Sequence, residues 1–428
     1  MLHVLLLTFC CLVACLPPLS AQESSLAPLP RAEEFYKKYT PAIYQIETIS
    51  RQSRKKYSIG SAFQISADGL LVTNYHVIAP ALLNPRMFVL LARQSDKGAF
   101  PAVVLAVDVV HDLAVLRIDP PQTSFLPLGS SDINEGKVIY SLGNPHDLGL
   151  TIKEGLANGF VDKSVYRKIL TSLSLNPGMS GGPTINEDGQ VIGVNVAVAD
   201  MALSFLIPAE YLEALVKKAL SHKSVSPSTM TADIERQLLL QERKRFIPLL
   251  KTPWEKQQFG HFWVPAAIAS DFSCWGKPND DPEIWIKYPM FSCSSQDSIY
   301  LSQRLSAHAV FFNYSSLSSA SPDPVRLYSL ANDYFNNHRL DLQNAQSEDA
   351  ENFHCRTDRT LVAGRPFLVS SCARRLKQMP RLYDVNLLMG SLADPEEILM
   401  IELTLSAVSR DMSLGMVKKF LKEIEWQK

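Results

Sequence analysis

The stretch Asn176-Pro177-Gly178-Met179-Ser180-Gly181-Gly182-Pro183 places a serine in a turn with little side-chain crowding. A serine hydroxyl is a weak nucleophile at neutral pH. It attacks acyl groups when a base takes its proton and fixed donors stabilise the resulting oxyanion. Gly178 lets the backbone turn sharply two residues before Ser180, so the N–H groups of Gly178 and Ser180 can converge on one point. Gly181 and Gly182 keep the approach to the hydroxyl open. Such a turn needs a histidine and a carboxylate from elsewhere in the chain.

Two other stretches supply them. Thr73-Asn74-Tyr75-His76-Val77-Ile78 follows the apolar run Leu70–Thr73 and sets His76 at a strand end, on a short turn of helix. Asp112 immediately precedes the strongly apolar Leu113-Ala114-Val115-Leu116. A carboxylate in that place can hold an imidazole tautomer and stabilise its cation. Asp108 and Asp119 are rivals for the role. His111 is a rival base, but as a neighbour of Asp112 in an extended segment it would point to the opposite face.

The elements that must position these residues are strands. From Ala42 to Pro208 short runs rich in Val, Ile and Leu recur between Gly, Asn, Asp and Pro. The runs are Ala42–Ile49, Tyr57–Ile65, Leu70–Thr73, Met87–Ala92, Ala102–Asp108 and Leu113–Ile118, then Lys137–Leu142, Leu150–Ala157, Lys168–Ser172, Val191–Val198 and Ala202–Ile207. This spacing indicates a sandwich or barrel. The segment from Asp119-Pro120-Pro121 to Glu135 divides the runs into two similar halves and predicts a double barrel, with His76 and Asp112 on the first half and Ser180 on the second. Short helices are expected at Ala32–Tyr39 and Ala209–Leu220. A polar linker is expected at Ser221–Thr231, and a helix at Ala232–Leu250. Beyond Trp254 an α+β pattern follows, with strands at Phe262–Ala267, Glu283–Phe291, Ala307–Tyr314, Pro366–Ser371, Tyr383–Gly390 and Ile398–Ala407 and helices at Pro324–Asn337 and Asp411–Trp426.

Composition narrows the class. The chain has 428 residues, 46% hydrophobic and 20% charged, with a formal net charge of -1. It carries ample apolar material for a core and no basic excess of the kind that marks a nucleic-acid partner. Leu2–Leu16 is almost wholly apolar and ends at Pro17-Pro18. It is too short to span a bilayer and fits a signal-peptide core ending near Ala21, which implies export. Leu12-Val13-Ala14-Cys15 resembles a bacterial lipobox, which would make Cys15 a lipidated, membrane-attached N-terminus. Cys274, Cys293, Cys355 and Cys372 lie together in the C-terminal part. In an oxidising compartment they imply two disulfides. Three pairings are open, and the local one, Cys274 with Cys293 and Cys355 with Cys372, is the simplest. Zinc needs closer ligand spacing than these cysteines have, so no metal and no cofactor is expected.

The three motifs together resemble those of trypsin-like serine proteases of the HtrA/Deg type. Leu142-Gly143-Asn144-Pro145, Phe205-Leu206-Ile207-Pro208 and Tyr39-Thr40-Pro41-Ala42-Ile43 extend the resemblance over about residues 32–221. It implies a mainly β fold, a chymotrypsin/trypsin-like double β-barrel, followed here by an α+β domain. It implies Ser180 as nucleophile, His76 as general base and then acid, Asp112 as the orienting carboxylate, and the N–H groups of Gly178 and Ser180 as the oxyanion hole. Losing one such donor typically costs about 3 kcal/mol of transition-state stabilisation. In this fold the segment before the serine helps line the primary pocket, so Ser172, Ser174 and Leu175 are the pocket candidates. None is acidic, which argues against a preference for Lys or Arg. Family trimers use aromatic residues near the N-terminus, a role Phe35 and Tyr36 could fill in a homotrimer.

The chain departs from the family in two places. No carboxylate-binding loop of a PDZ domain follows residue 221. Met179 replaces the usual small polar residue beside the nucleophile, where it could alter the oxyanion loop or cover it. The expected organisation is a signal peptide at 1–21, a protease domain at 32–221, a linker and helix at 222–253, and a disulfide-stapled accessory domain at 254–428. The expected activity is that of an exported serine endopeptidase acting on proteins or peptides, including unfolded or damaged ones. The alternative is a non-cleaving binding protein on the same scaffold.

Overall fold

A computed structural model describes residues 30–94, 97–119, 124–196, 204–221, 226–278, 286–319, 324–344, 348–392 and 397–427. The expected signal peptide and Cys15 lie outside the described residues. After α1 (Pro30–Tyr39), the first barrel comprises β1 (Ile43–Ser50), β2 (Lys56–Gln64), β3 (Leu70–Thr73), β4 (Phe88–Gln94), β5 (Gly98–Asp108) and β6 (Leu113–Ile118), with α2 (Tyr75–Leu83) between β3 and β4. The second comprises β7 (Val138–Gly143), β8 (Thr151–Phe160), β9 (Ile169–Thr171), β10 (Pro183–Ile185), β11 (Val191–Val196) and β12 (Ser204–Pro208). Both close, in the orders β1-β2-β3-β6-β5-β4 and β10-β11-β12-β9-β8-β7. The double barrel is the architecture that the strand spacing predicts. β10 was not among the expected strands: it has three residues, directly after the glycine turn.

Three helices tie the barrels together and to the rest of the chain. α1 and α3 (Glu210–Ser221) pack on an apolar cluster shared by both barrels, which includes Phe63, Val72, Leu142 and Val194. Phe35 is buried there, edge-on to Tyr140 at 5.3 Å, so it is a core residue and not an exposed oligomer contact. α4 (Pro227–Lys251) begins earlier than the expected Ala232. Ser226 caps it by accepting the Thr229 N–H, and Pro227 suits the first turn.

The C-terminal half contains β13 (Lys256–Phe259), β14 (Phe262–Pro265), β15 (Phe272–Lys277), β16 (Ile286–Lys287), β17 (Met290–Ser295), β18 (Ile299–Ser302), β19 (Leu305–Ala307) and β20 (Val310–Ser319). After α5 (Pro324–Asn344) come β21 (His354–Val362), β22 (Arg365–Arg375), β23 (Leu382–Ser391) and β24 (Glu397–Ser409), then α6 (Arg410–Lys422) and β25 (Glu425–Trp426). Its main sheet runs β15-β17-β20-β24-β23-β22-β21, with β16 beside β20. α6 stops at Lys422, short of the expected Trp426, because Trp426 instead pairs with Phe262 in a small sheet. The two disulfides join neighbouring strands, Cys274 to Cys293 and Cys355 to Cys372. Their separations of 19 and 17 positions correspond to about 3 kcal/mol each by chain entropy.

The two halves share a core. Tyr75, Val77, Ile78 and Leu82 of α2 and Met230, Ile234 and Leu238 of α4 belong to one buried cluster with Ile299, Leu301, Leu376 and Met379. A helix that is apolar all round is covered on both sides, and α2 lies between the first barrel and the C-terminal half. Among the described residues no helix is long and apolar enough to cross a membrane.

At this junction His308 is fully buried, with neither ring nitrogen hydrogen-bonded to the described residues. Burial, reinforced by the nearby Arg245 charge, pushes its pKa down to about 3. An unfolded imidazole titrates near 6.5. Below that value the unfolded chain binds a proton that the folded one refuses, so this contribution to stability is full above about pH 6.5 and is lost as pH falls towards 3. From pH 6.5 to 5 the loss is about 2 kcal/mol. His308 has φ 61, a conformation that asparagine tolerates. In non-reducing urea melts, the wild type is expected to lose about 2 kcal/mol more than His308→Asn over that interval. Equal losses would refute the assignment.

Candidate active site

The first turn of α2 and Asp112 are built into each other. Asn74, extended at φ -78 and ψ 151, precedes the helix without capping it through its own side chain. The free N–H groups of the first turn are met by the β5–β6 connection instead. The Tyr75 N–H donates to the Asp112 carbonyl at 3.1 Å, and Asn74 Nδ2 donates to the same carbonyl at 2.9 Å. The His76 N–H donates to Asp112 Oδ1 at 2.8 Å, and His76 Nδ1 lies 2.6 Å from Asp112 Oδ2. Asp112 thus serves the helix N-terminus and the imidazole with one carboxylate. It does so at φ 54, a left-handed conformation that aspartate tolerates better than most residues.

Burial alone would push the His76 pKa down, but the Asp112 charge and hydrogen bond outweigh it and hold the imidazole above its ordinary range. With Nδ1–H donating to the carboxylate, Nε2 is left as the acceptor on the far side of the ring.

Ser180 is brought to this corner by its glycines. The Ser180 carbonyl accepts the Ser61 N–H of β2 at 2.7 Å. Gly181 has φ 84, and a Cβ there would lie 2.3 Å from both the Ser61 carbonyl and Thr73 Oγ1 and 3.0 Å from the Asn74 nitrogen. Only glycine allows the serine turn to press against the junction of β3 and α2, two residues before His76. A Cβ on Gly182 would similarly meet the Leu142 carbonyl at 2.2 Å.

The peptides before the serine are pinned individually. The Pro177 carbonyl accepts the His146 N–H at 2.9 Å. Since the C=O and N–H of a trans peptide point in opposite directions, this bond turns the Gly178 N–H away from His146. Ser61 Oγ donates to the Gly178 carbonyl at 2.7 Å and accepts the Asn144 N–H at 2.9 Å. The Met179 N–H donates to the Asn176 carbonyl at 3.0 Å. The Met179 side chain is fully buried with Leu173, Leu175 and Ile192 in the second barrel, so it anchors the loop from inside and does not cover the serine.

The pocket candidates divide between the barrel interior and the surface. Leu175 is buried in that same apolar cluster, because alternate residues of this segment face the barrel interior. Ser172 and Ser174 are exposed, and Ser172 Oγ accepts the Leu156 N–H at 2.8 Å. None of the three lines the cavity beside His76. That cavity, of about 460 Å³, is walled by His76, His111, Tyr166, Phe205, Tyr211 and Tyr300, among others.

The rivals have other partners. His111 Nδ1 lies 2.7 Å from Asp108 Oδ2, and its ring stacks on Tyr211 at 3.7 Å. His111 does not point away from Asp112, as an extended segment would require: the left-handed Asp112 makes this a turn, and both residues face the same cavity. Asp119 is exposed beyond β6.

Sequence reasoning passed over Ser61 and Asp147. Gly60-Ser61-Ala62 is a run of small residues within a strand, a sign of close backbone approach, and a Cβ on Gly60 would meet Val77 at 2.5 Å. Asp147, beside His146, accepts from Gln45 Nε2 at 2.9 Å and pairs with Lys56 at 2.7 Å. These bonds fasten the loop supporting Pro177 to the first barrel. Nothing in the sequence pairs those positions.

Two closed six-stranded barrels, with a His–Asp pair on one and a glycine-flanked serine pressed against it from the other, define a trypsin-like peptidase domain. Residues 60–194 match the family model of the trypsin-like peptidase domain. Serine protease HTRA2, mitochondrial, of Bos taurus is 36% identical over 189 residues, covering 41% of this chain and 40% of that protein. The probable periplasmic serine endoprotease DegP-like of Pseudomonas fluorescens is 34% identical over 170 residues, covering 37% of this chain and 34% of that protein. The solved structure of Deg5 covers 44% of this chain and 92% of its own, at 28% identity and a TM-score of 0.39. Residues 60–194 therefore carry a trypsin-like peptidase domain, similar in sequence to HtrA-type serine proteases. The chain spans between a third and two fifths of the length of these curated relatives.

Proposed function

We propose that this protein is a serine endopeptidase that cleaves protein substrates through an acyl-enzyme on Ser180. The observation that carries the reading is the 2.6 Å pairing of His76 Nδ1 with Asp112, because it leaves Nε2 as the nitrogen able to take a proton. His76 Nε2 removes the Ser180 hydroxyl proton as Oγ attacks the carbonyl carbon. The N–H groups of Gly178 and Ser180 receive the oxyanion, and the hydrogen bonds pinning Pro177, Gly178 and Met179 favour a preformed loop. As the C–N bond breaks, His76 returns the proton to the leaving amine. Water, deprotonated by His76, then attacks the ester, and Ser180 recovers its proton as the acid leaves.

Unfolded or damaged proteins are the proposed substrates, as the resemblance of the three motifs to the HtrA/Deg type implies. Export fits the apolar Leu2–Leu16 and the two disulfides. Lipid attachment at Cys15 is the alternative to cleavage near Ala21, and the mass of the mature N-terminus separates the two. A homotrimer would need contacts other than Phe35, which is buried.

A fluorophosphonate probe tests the chemistry. It is expected to label Ser180 alone, at a rate that rises with pH through a midpoint above about 6.5, because the base works only when deprotonated and Asp112 raises its pKa. Folded protein that neither takes the label across neutral pH nor cleaves unfolded casein would overturn the proposal in favour of a non-cleaving binding protein.

A further inference from the structure

We infer that residues 297–301 of the C-terminal half form a clasp joining the histidine helix to the second barrel, and that Tyr300 is a positioning residue for His76. The inference rests on the catalytic reading of His76 given above.

The clasp grips α2 at one end. The Tyr300 ring lies 5.8 Å from the His76 ring at an interplanar angle of 68°, and 6.4 Å from Tyr75 at 70°. The hydroxyl of fully buried Tyr75 donates to the Leu301 carbonyl at 3.2 Å. Ile299 and Leu301 are buried in one cluster with Tyr75, Val77 and Ile78. Three residues before Tyr300, the clasp grips the second barrel. Asp297, with 4% of its side chain exposed, pairs with Lys168 at 2.5 Å and accepts from Ser164 Oγ at 2.8 Å and from the Val165 N–H at 2.5 Å. All three belong to the connection from β8 to β9. The base is fixed to α4, where Arg245 donates to the Asp297 carbonyl at 3.1 Å and pairs with Asp271 at 2.6 Å.

This arrangement joins the two barrels across the reacting pair. His76 and Asp112 stand on one barrel and Ser180 on the other, so the relative position of the barrels sets the base–nucleophile geometry. Asp112 holds the imidazole only at its Nδ1 edge. The Tyr300 ring adds a second constraint on ring orientation and limits water access to the Nδ1–H···Oδ2 bond. Misplacement of a catalytic group by about 1 Å can cost a hundredfold in rate. The contact uses the Tyr300 ring, so phenylalanine is expected to replace it.

The test compares full-length wild type, Tyr300→Phe, Tyr300→Ala and Tyr300→Leu, the last keeping apolar bulk if alanine prevents folding. Proton NMR follows the downfield His76 Nδ1–H resonance, identified by its loss in His76→Gln. Fluorophosphonate labelling is measured on the same samples. Wild type and Tyr300→Phe are expected to retain the resonance and the labelling rate. Tyr300→Ala and Tyr300→Leu are expected to exchange that proton at least about tenfold faster and to label about ten- to hundredfold more slowly. Unchanged proton exchange in Tyr300→Leu would overturn the assignment, as would equal impairment in Tyr300→Phe. If wild type took no label while the proton-exchange pattern held, the endopeptidase reading would fall and the positioning of His76 by Tyr300 would stand.

Discussion

Ser180→Ala is expected to lower peptide-bond cleavage by about six orders of magnitude and to abolish fluorophosphonate labelling, with no loss of thermal stability. The hydroxyl supplies the bond-forming oxygen, so no neighbour can replace it, whereas the Ser180 backbone that docks on Ser61 is untouched by the substitution. His76→Ala is expected to cost a similar factor, and the double variant little more, because the residues act as a unit. Asp112→Asn should differ in kind. It presents the wrong tautomer to the base, worth about 10⁴ in turnover. It also weakens the acceptor that the first turn of α2 uses, at about 1 kcal/mol of stability. Casein cleavage and thermal melts on the three single variants separate these effects. A Ser180→Ala variant that still cleaved casein after purification from contaminating proteases would end the acyl-enzyme account.

Removing residues 222–428 is expected to destroy the native state of what remains. Tyr75, Ile78 and Leu82 of α2 share their buried cluster with Ile299, Leu301, Leu376, Met379 and Leu382. Re-exposing a fully buried large apolar side chain costs about 1.5–3 kcal/mol. Three or more such losses reach about 5–9 kcal/mol, comparable to the whole stability of a typical domain. The fragment 30–221 should therefore be insoluble, or bind a hydrophobic dye and label at least a hundredfold more slowly than full-length protein. Solubility, dye binding and labelling rate check this. A soluble monomer labelling at the full-length rate would show that the C-terminal half is dispensable to the site.

The barrels were legible because each strand alternates or runs apolar between strong turn residues, and because closed barrels need only that pattern repeated. The His76–Asp112 pair was legible from residue type and chain order. The orientation of His111 was not, since it depends on the left-handed backbone at Asp112, and aspartate reveals that conformation less plainly than glycine would. The contact of Tyr300 with His76 was hidden for a different reason. It sits on a four-residue strand paired with a three-residue one, too short for any periodicity. A signal did exist in α2 itself. Tyr75-His76-Val77-Ile78-Ala79-Pro80-Ala81-Leu82-Leu83 has no polar face beyond His76, and one barrel can cover only one side of a helix. The early start of α4 was legible in Ser226-Pro227, a cap followed by a favoured first-turn residue, but the polar composition around it favoured a linker.

The core shared by α2 and residues 299–307 also sets a schedule for biosynthesis. The last strand of the second barrel ends at Pro208, whereas Leu301 is translated many residues later. At about 5–20 residues per second, the ribosome needs on the order of ten seconds to cover that interval. During that time the nascent chain already holds His76, Asp112 and Ser180, yet the histidine helix lacks the cover that Ile299 and Leu301 later supply. Full cleaving power would arrive only once the distal segment has emerged and docked, which would delay it until synthesis is well advanced.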